Sequence, residues 1–133
     1  MAVVIGFVAS KEGRAALRHA IREAKLRQTR LVLIHSERGG HEEHDPDKWE
    51  GALAGAEREI VESGVAHEIR QLIRGNDPAE DLVDIADEIG AQCIVIGLRR
   101  RTPVGKLLLG SNAQRILLDA SCPVIAVKAD WTG

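Results

Sequence analysis

Gly97, Arg99, Arg100, Arg101, Lys106, Gly110 and Ser111 lie close together, and no acid falls between Leu98 and Asn112. These residue types at this spacing suit an anion, and commonly a phosphate. Guanidinium forks pair with phosphate oxygens. Glycine lets a backbone come close to a ligand. A helix start adds unpaired N–H groups and a partial positive charge. Such a helix is expected from Ser111, its N-cap candidate, because Ala113, Ile116, Leu117 and Ala120 recur at i, i+3, i+4 and i+7. Upstream, Cys93-Ile94-Val95-Ile96 reads as a strand buried on both faces. A basic, glycine-punctuated loop thus joins a strand to a helix. The plainer reading is a βα loop with glycines for its turns and solvated arginines.

Two other chemistries have weaker support. His35, His41 and His44, with Asp45, suggest a metal, but they fall in an expected loop rather than on a helix face, and no cysteine joins them. They read as solvated groups titrating near neutral pH, and no metal is expected. For nucleophilic catalysis, Ser111 is the only serine of the basic stretch, and no His or Asp stands beside it in sequence. Capping explains it without catalysis, so no catalytic residue is assigned. Slow ATP hydrolysis stays open, because phosphoryl transfer is mostly positioning and electrostatics.

With 133 residues, one domain over 1–133 is expected. Aromatics make up only 2% of a chain that is 44% hydrophobic, so the core must be Val, Ile, Leu and Ala, as in parallel strands covered by helices. Lys plus Arg number 18 against 20 Asp plus Glu, which gives no global field for nucleic acid or an anionic membrane. No apolar run approaches the roughly 20 residues that span a bilayer, and Met1 to Gly6 lacks the basic start of a signal peptide. Cys93 and Cys122 read as small core residues in a reduced cytoplasm.

The elements that must position the basic loop follow in order. A first strand runs from Ala2 to Val8. Ser10 caps a helix whose stripe is Leu17, Ala20, Ile21 and Ala24. Leu31 to Ile34 is a second strand, and His35 to Pro46 a loop. Trp49, Leu53, Ala56 and Ile60 mark a helix that Ser63-Gly64 stops. Ala66 to Ile73 is a half-exposed edge strand. Asp77, Pro78 and Glu80 start a third helix with a capping box. Leu82, Ile85, Ala86 and Ile89 form its stripe, and Gly90 ends it. The strand over 93–97, a helix over 111–121 and a strand from Pro123 to Lys128 complete the chain. The alternation implies an α/β sandwich: five mostly parallel strands with helices on both faces and right-handed crossovers.

Gly97 and Gly110-Ser111, spaced as Gly, twelve residues, Gly-Ser, match most of the nucleotide-binding signature of the universal stress protein family. The run Ser121-Cys122-Pro123-Val124-Ile125-Ala126-Val127-Lys128 resembles that family's closing strand. The resemblance covers essentially the whole chain. It implies the three-layer fold with strand order 3-2-1-4-5, which puts the basic loop at a topological switch point, where open α/β sheets bind ligands. It implies that Gly97, Gly110, Ser111 and the Asn112 N–H hold the phosphates of ATP or another adenine nucleotide, with or without Mg²⁺. Ser36 and Ile96 would lie at strand ends that meet base and ribose. It also implies a homodimer through Val124, Ile125, Ala126 and Val127, an apolar terminal strand.

The chain departs from the family pattern at two places. Val8 occupies the position where nucleotide-binding members carry an Asp, and Arg100 replaces the second glycine of the signature. Arg100, with Arg99 beside it, either supplies a phosphate ligand or fills the pocket. The expectation is a cytoplasmic nucleotide-binding stress regulator, with an unidentified protein partner and neither nucleic acid nor membrane. The alternatives are a nucleotide-free interaction module and a weak ATPase.

Overall fold

The computed structural model describes residues 1–37, 46–73, 77–98 and 110–130. Nine elements alternate: β1 (Ala2–Gly6), α1 (Lys11–Arg27), β2 (Arg30–Glu37), α2 (Pro46–Ser63), β3 (His67–Ile73), α3 (Pro78–Ile89), β4 (Cys93–Leu98), α4 (Ser111–Asp119) and β5 (Val124–Lys128). The strands form one sheet in the order β3-β2-β1-β4-β5, and every pairing is parallel. This is the order the family resemblance implied.

Strand side chains alternate between faces, so each central strand feeds two cores. Val3, Ile5, Leu31, Leu33, Cys93 and Val95 pack under α1 and α2 with Leu17, Ala20 and Ile60. Val4, Val32, Ile34, Ile94 and Ile96 pack under α3 and α4 with Leu82, Ile85 and Ile116. Fully burying such a Val, Leu or Ile side chain contributes about 1.5–3 kcal/mol. The expected α1 stripe is entirely buried, and the stripes of α2 and α3 supply Ala56, Ile60, Leu82, Ile85 and Ala86 to the cores.

Helix ends follow local chemistry. Ser10 Oγ accepts from the Gly13 N–H at 3.1 Å and caps α1. Asp77 Oδ1 accepts from the Ala79 N–H at 2.8 Å, with Pro78 opening α3. That bond reaches the second residue of the helix, not Glu80 as in the expected capping box. Glu80 instead stands 3.9 Å from Arg115. Gly90 closes α3 at φ 64°, a left-handed conformation that glycine adopts without steric cost.

Several expectations shift. β1 stops at Gly6, not Val8. The Phe7 N–H still reaches the Ile34 carbonyl at 3.0 Å, but the Val8 carbonyl then accepts the Ser10 N–H at 2.9 Å and the chain turns into α1. β2 continues through Glu37 because β3 pairs with it from Leu31↔His67 to Glu37↔Ile73. His35 is therefore in a strand and 1% exposed, not in a solvated loop. Gly110 is the N-cap of α4, and Ser111 is its first helical residue. α4 ends at Asp119, short of residue 121, and Ala120 is its C-cap. In α4, Ile116 is buried, whereas Leu117, about 100° further round, is 40% exposed.

The cysteines are free. Cys93 lies in the core under α1, whereas Cys122 packs on the opposite core. Burial pushes both thiols up, so both stay protonated at neutral pH.

Candidate functional site

In a parallel α/β sheet, strand carboxyl ends and helix N-termini share one edge. That edge here holds a cleft of about 150 Å³. Gly6, Phe7 and Val8 line it from the end of β1, Ile34 from β2, and Ile96 and Gly97 from β4. Pro78, Ala79 and Leu82 form the α3 wall, and Asn112, Ala113 and Ile116 the α4 wall. The strand order reverses between β1 and β4, so the cleft occupies the switch point where open α/β sheets take ligands.

Of the residues singled out from sequence, the cleft brings together Val8, Ile96, Gly97 and Asn112. Gly110 and Ser111 stand at the start of the α4 wall, Ser111 exposed. The Ser36 backbone lies in β2, opposite Leu72 of β3, and its side chain lies outside the described set. Arg99, Arg100, Arg101 and Lys106 lie outside the described residues, as do His41, His44 and Asp45. Among the described residues no three His, Cys, Asp or Glu side chains gather as a metal-binding set.

All four helix N-termini reach this edge, and the three whose preceding residue is described, α1, α3 and α4, differ. At α1 and α3 the N-cap side chain, Ser10 or Asp77, accepts one N–H of the first turn. At α4 the N-cap is glycine, with no side-chain cap bond. Its first turn closes with the Gln114 N–H on the Gly110 carbonyl at 3.0 Å, so the preceding N–H groups have no partner within the helix. An anion is therefore best received at α4.

Gly97 carries a packing constraint beside the ligand role its spacing suggested. A Cβ there would lie 2.5 Å from the Glu12 carbonyl oxygen and 2.7 Å from its carbon. Gly97 lines the cleft, yet its lack of a side chain is required by the first turn of α1, on the opposite face of the sheet. Gly13 is under the same constraint, since a Cβ would collide with the Val8 carbonyl. The two glycines lock the β1–α1 turn against β4.

Sequence reasoning missed Phe7, Ile34 and the α3 wall of Pro78, Ala79 and Leu82. The signal was available: once the strands are parallel, the start of α3 must reach the same edge as the basic loop. It also missed Arg115, whose Nη1 donates to Asp77 Oδ2 at 3.2 Å while Nε lies 3.7 Å from Asp119.

The universal stress protein family model matches residues 1–128. The chain belongs to the universal stress protein family. It is 44% identical over 126 residues to a universal stress protein of Mycolicibacterium smegmatis, covering 95% of this chain and 96% of that one. The structure of a universal stress protein from Archaeoglobus fulgidus superposes with a TM-score of 0.79 at 40% identity, covering 96% of this chain and 97% of that one. A universal stress protein from Archaeoglobus fulgidus in complex with dAMP superposes with a TM-score of 0.74 at 35% identity, covering 96% of each chain. Within the universal stress protein fold, this cleft carries Val8, 45% exposed, at the turn that follows β1. No helix among the described residues is long and apolar enough to cross a membrane.

Proposed function

We propose that this universal stress protein binds an adenine nucleotide in the β1–β4 cleft and acts through that binding, not through catalysis. The observation that carries the reading is the contrast among the described helix starts: the N-cap side chains of α1 and α3 each accept a helix N–H, while α4 opens on Gly110, which has no side chain to do so, beside an apolar cleft. An aromatic base fits the apolar lining of Phe7, Val8, Ile34 and Leu82. The phosphate meets the N–H groups of Ser111 and Asn112, and Arg99 and Arg100, which follow β4 in sequence, are the candidate cationic ligands. The dAMP held by the Archaeoglobus fulgidus relative supports the same ligand class.

The protein works as a cytoplasmic homodimer paired through β5. α4 leads into β5 through Ala120 to Pro123, so a ligand that favours one placement of α4 biases what the dimer presents. It does so only through differential affinity for the two states. Val8 favours a second reading, a nucleotide-free interaction module, because it puts a methyl-bearing side chain where an acid would otherwise meet the nucleoside.

Calorimetric titration with dAMP, AMP and ATP, with and without Mg²⁺, separates the two. Micromolar binding, with no phosphate released from ATP above the blank, is expected. Protein free of co-purified nucleotide that gives no heat at millimolar ligand would leave the interaction module standing.

A further inference from the structure

One carboxylate ties the two walls of the cleft together. Asp77 Oδ1 accepts from the Ala79 N–H at 2.8 Å and so fixes the start of α3. Its Oδ2 accepts from Arg115 Nη1 of α4 at 3.2 Å. Arg115 is held further by Glu80 of α3 at 3.9 Å and by Asp119, one turn along α4, at 3.7 Å. Pro78 and Ala79, next to Asp77, line the cleft from one side. Asn112 and Ile116 line it from the other. Neither Asp77 nor Arg115 is itself in the lining.

We infer that Asp77 and Arg115 are positioning residues. Their ion pair sets the spacing between the α3 and α4 starts and aims the uncapped α4 N-terminus at the anion. For its ligand this rests on the adenine-nucleotide reading; the clamp between the helices does not. The inference makes a prediction opposite in sign to plain electrostatics. Removing a carboxylate near an anion site should tighten anion binding if charge alone matters. Removing Asp77 should weaken it if Asp77 holds the wall.

Asp77→Ser is the discriminating variant. Serine caps a helix about as well as aspartate, so α3 keeps its start while Arg115 loses its shortest contact and keeps only the longer ones to Glu80 and Asp119. In calorimetric titration of the full chain with dAMP, Asp77→Ser and Arg115→Gln are each expected to weaken binding about threefold or more, the scale of an exposed charge pair. The double variant loses no more than either single one, and Arg115→Lys recovers part of the loss. An Asp77→Ser protein that binds dAMP as tightly as the parent, or losses that add in the double variant, would overturn the clamp. If the parent chain itself binds no dAMP, the nucleotide reading falls alone. The clamp is then judged by amide hydrogen exchange at Gln114, whose N–H closes the first turn of α4. Several-fold faster exchange in Asp77→Ser supports the clamp, and an unchanged rate overturns it.

Discussion

At Gly97 the space of the missing side chain is filled by the backbone of Glu12, from the far side of the sheet. A methyl group there must displace a carbonyl of α1, not the end of a flexible side chain. Gly97→Ala is therefore expected to cost about 1–3 kcal/mol, as overpacking does, read as a lower midpoint in urea or thermal unfolding. An unchanged midpoint would show that the first turn of α1 moves freely. From sequence, Gly97 was legible as a special glycine, but the reason was not, because Glu12 is remote along the chain. His35 illustrates the same limit. Its polarity reads as loop, and only the β3 ladder carries it into a strand and into the core. The Asp77–Arg115 pair, 38 residues apart, left no local trace at all.

Among the elements, α1 and α3 were legible because caps and stripes agree, Ser10 with Leu17 and Ala20, Asp77-Pro78 with Leu82 and Ala86, and α2 by its stripe of Ala56 and Ile60. α4 was legible in part. Its nine residues bury Ile116 fully and leave Leu117 and Leu118 exposed, so periodicity overstated its apolar face. Its cap was displaced by one residue, from Ser111 to Gly110, which turns a self-capped helix into an open one. Gly110→Asp tests what that openness is for. An aspartate at the N-cap accepts from the orphan N–H groups, and so stabilises α4 by a few tenths to about 1 kcal/mol relative to glycine. The same carboxylate occupies the place of a phosphate. The melting temperature should rise slightly while nucleotide affinity falls. A variant no more stable than the parent would mean that α4 is already capped by another group.

For the whole molecule, the two sheet edges differ in character. β3 presents His67, Glu68 and Arg70. Glu68 accepts a hydrogen bond from Arg70, which, with Arg30 at 3.2 Å, holds its carboxyl below the usual range. Charged edges resist pairing with another strand. β5 presents Val124, Ile125 and Ala126, and Val127 is buried in the core under α1, leaving its backbone edge to offer. A two-fold dimer should therefore form at β5 and not at β3. Light scattering after size exclusion is expected to give twice the chain mass, with Ala126→Pro reverting it to monomer; a parent chain that elutes as a monomer at micromolar concentration would remove β5 from the account. The strand order itself came from the family resemblance, since periodicity supplies count and connectivity but not neighbours. The resemblance also implies a use for the cleft, and that use turns on whether a phosphate occupies the start of α4. The most direct measurement is calorimetric titration of dAMP into the parent chain and Gly110→Asp side by side. Micromolar binding to the parent, lost in a fully folded Gly110→Asp, is the predicted result. Equal affinity in both proteins would contradict it and place the nucleotide, if bound, away from α4.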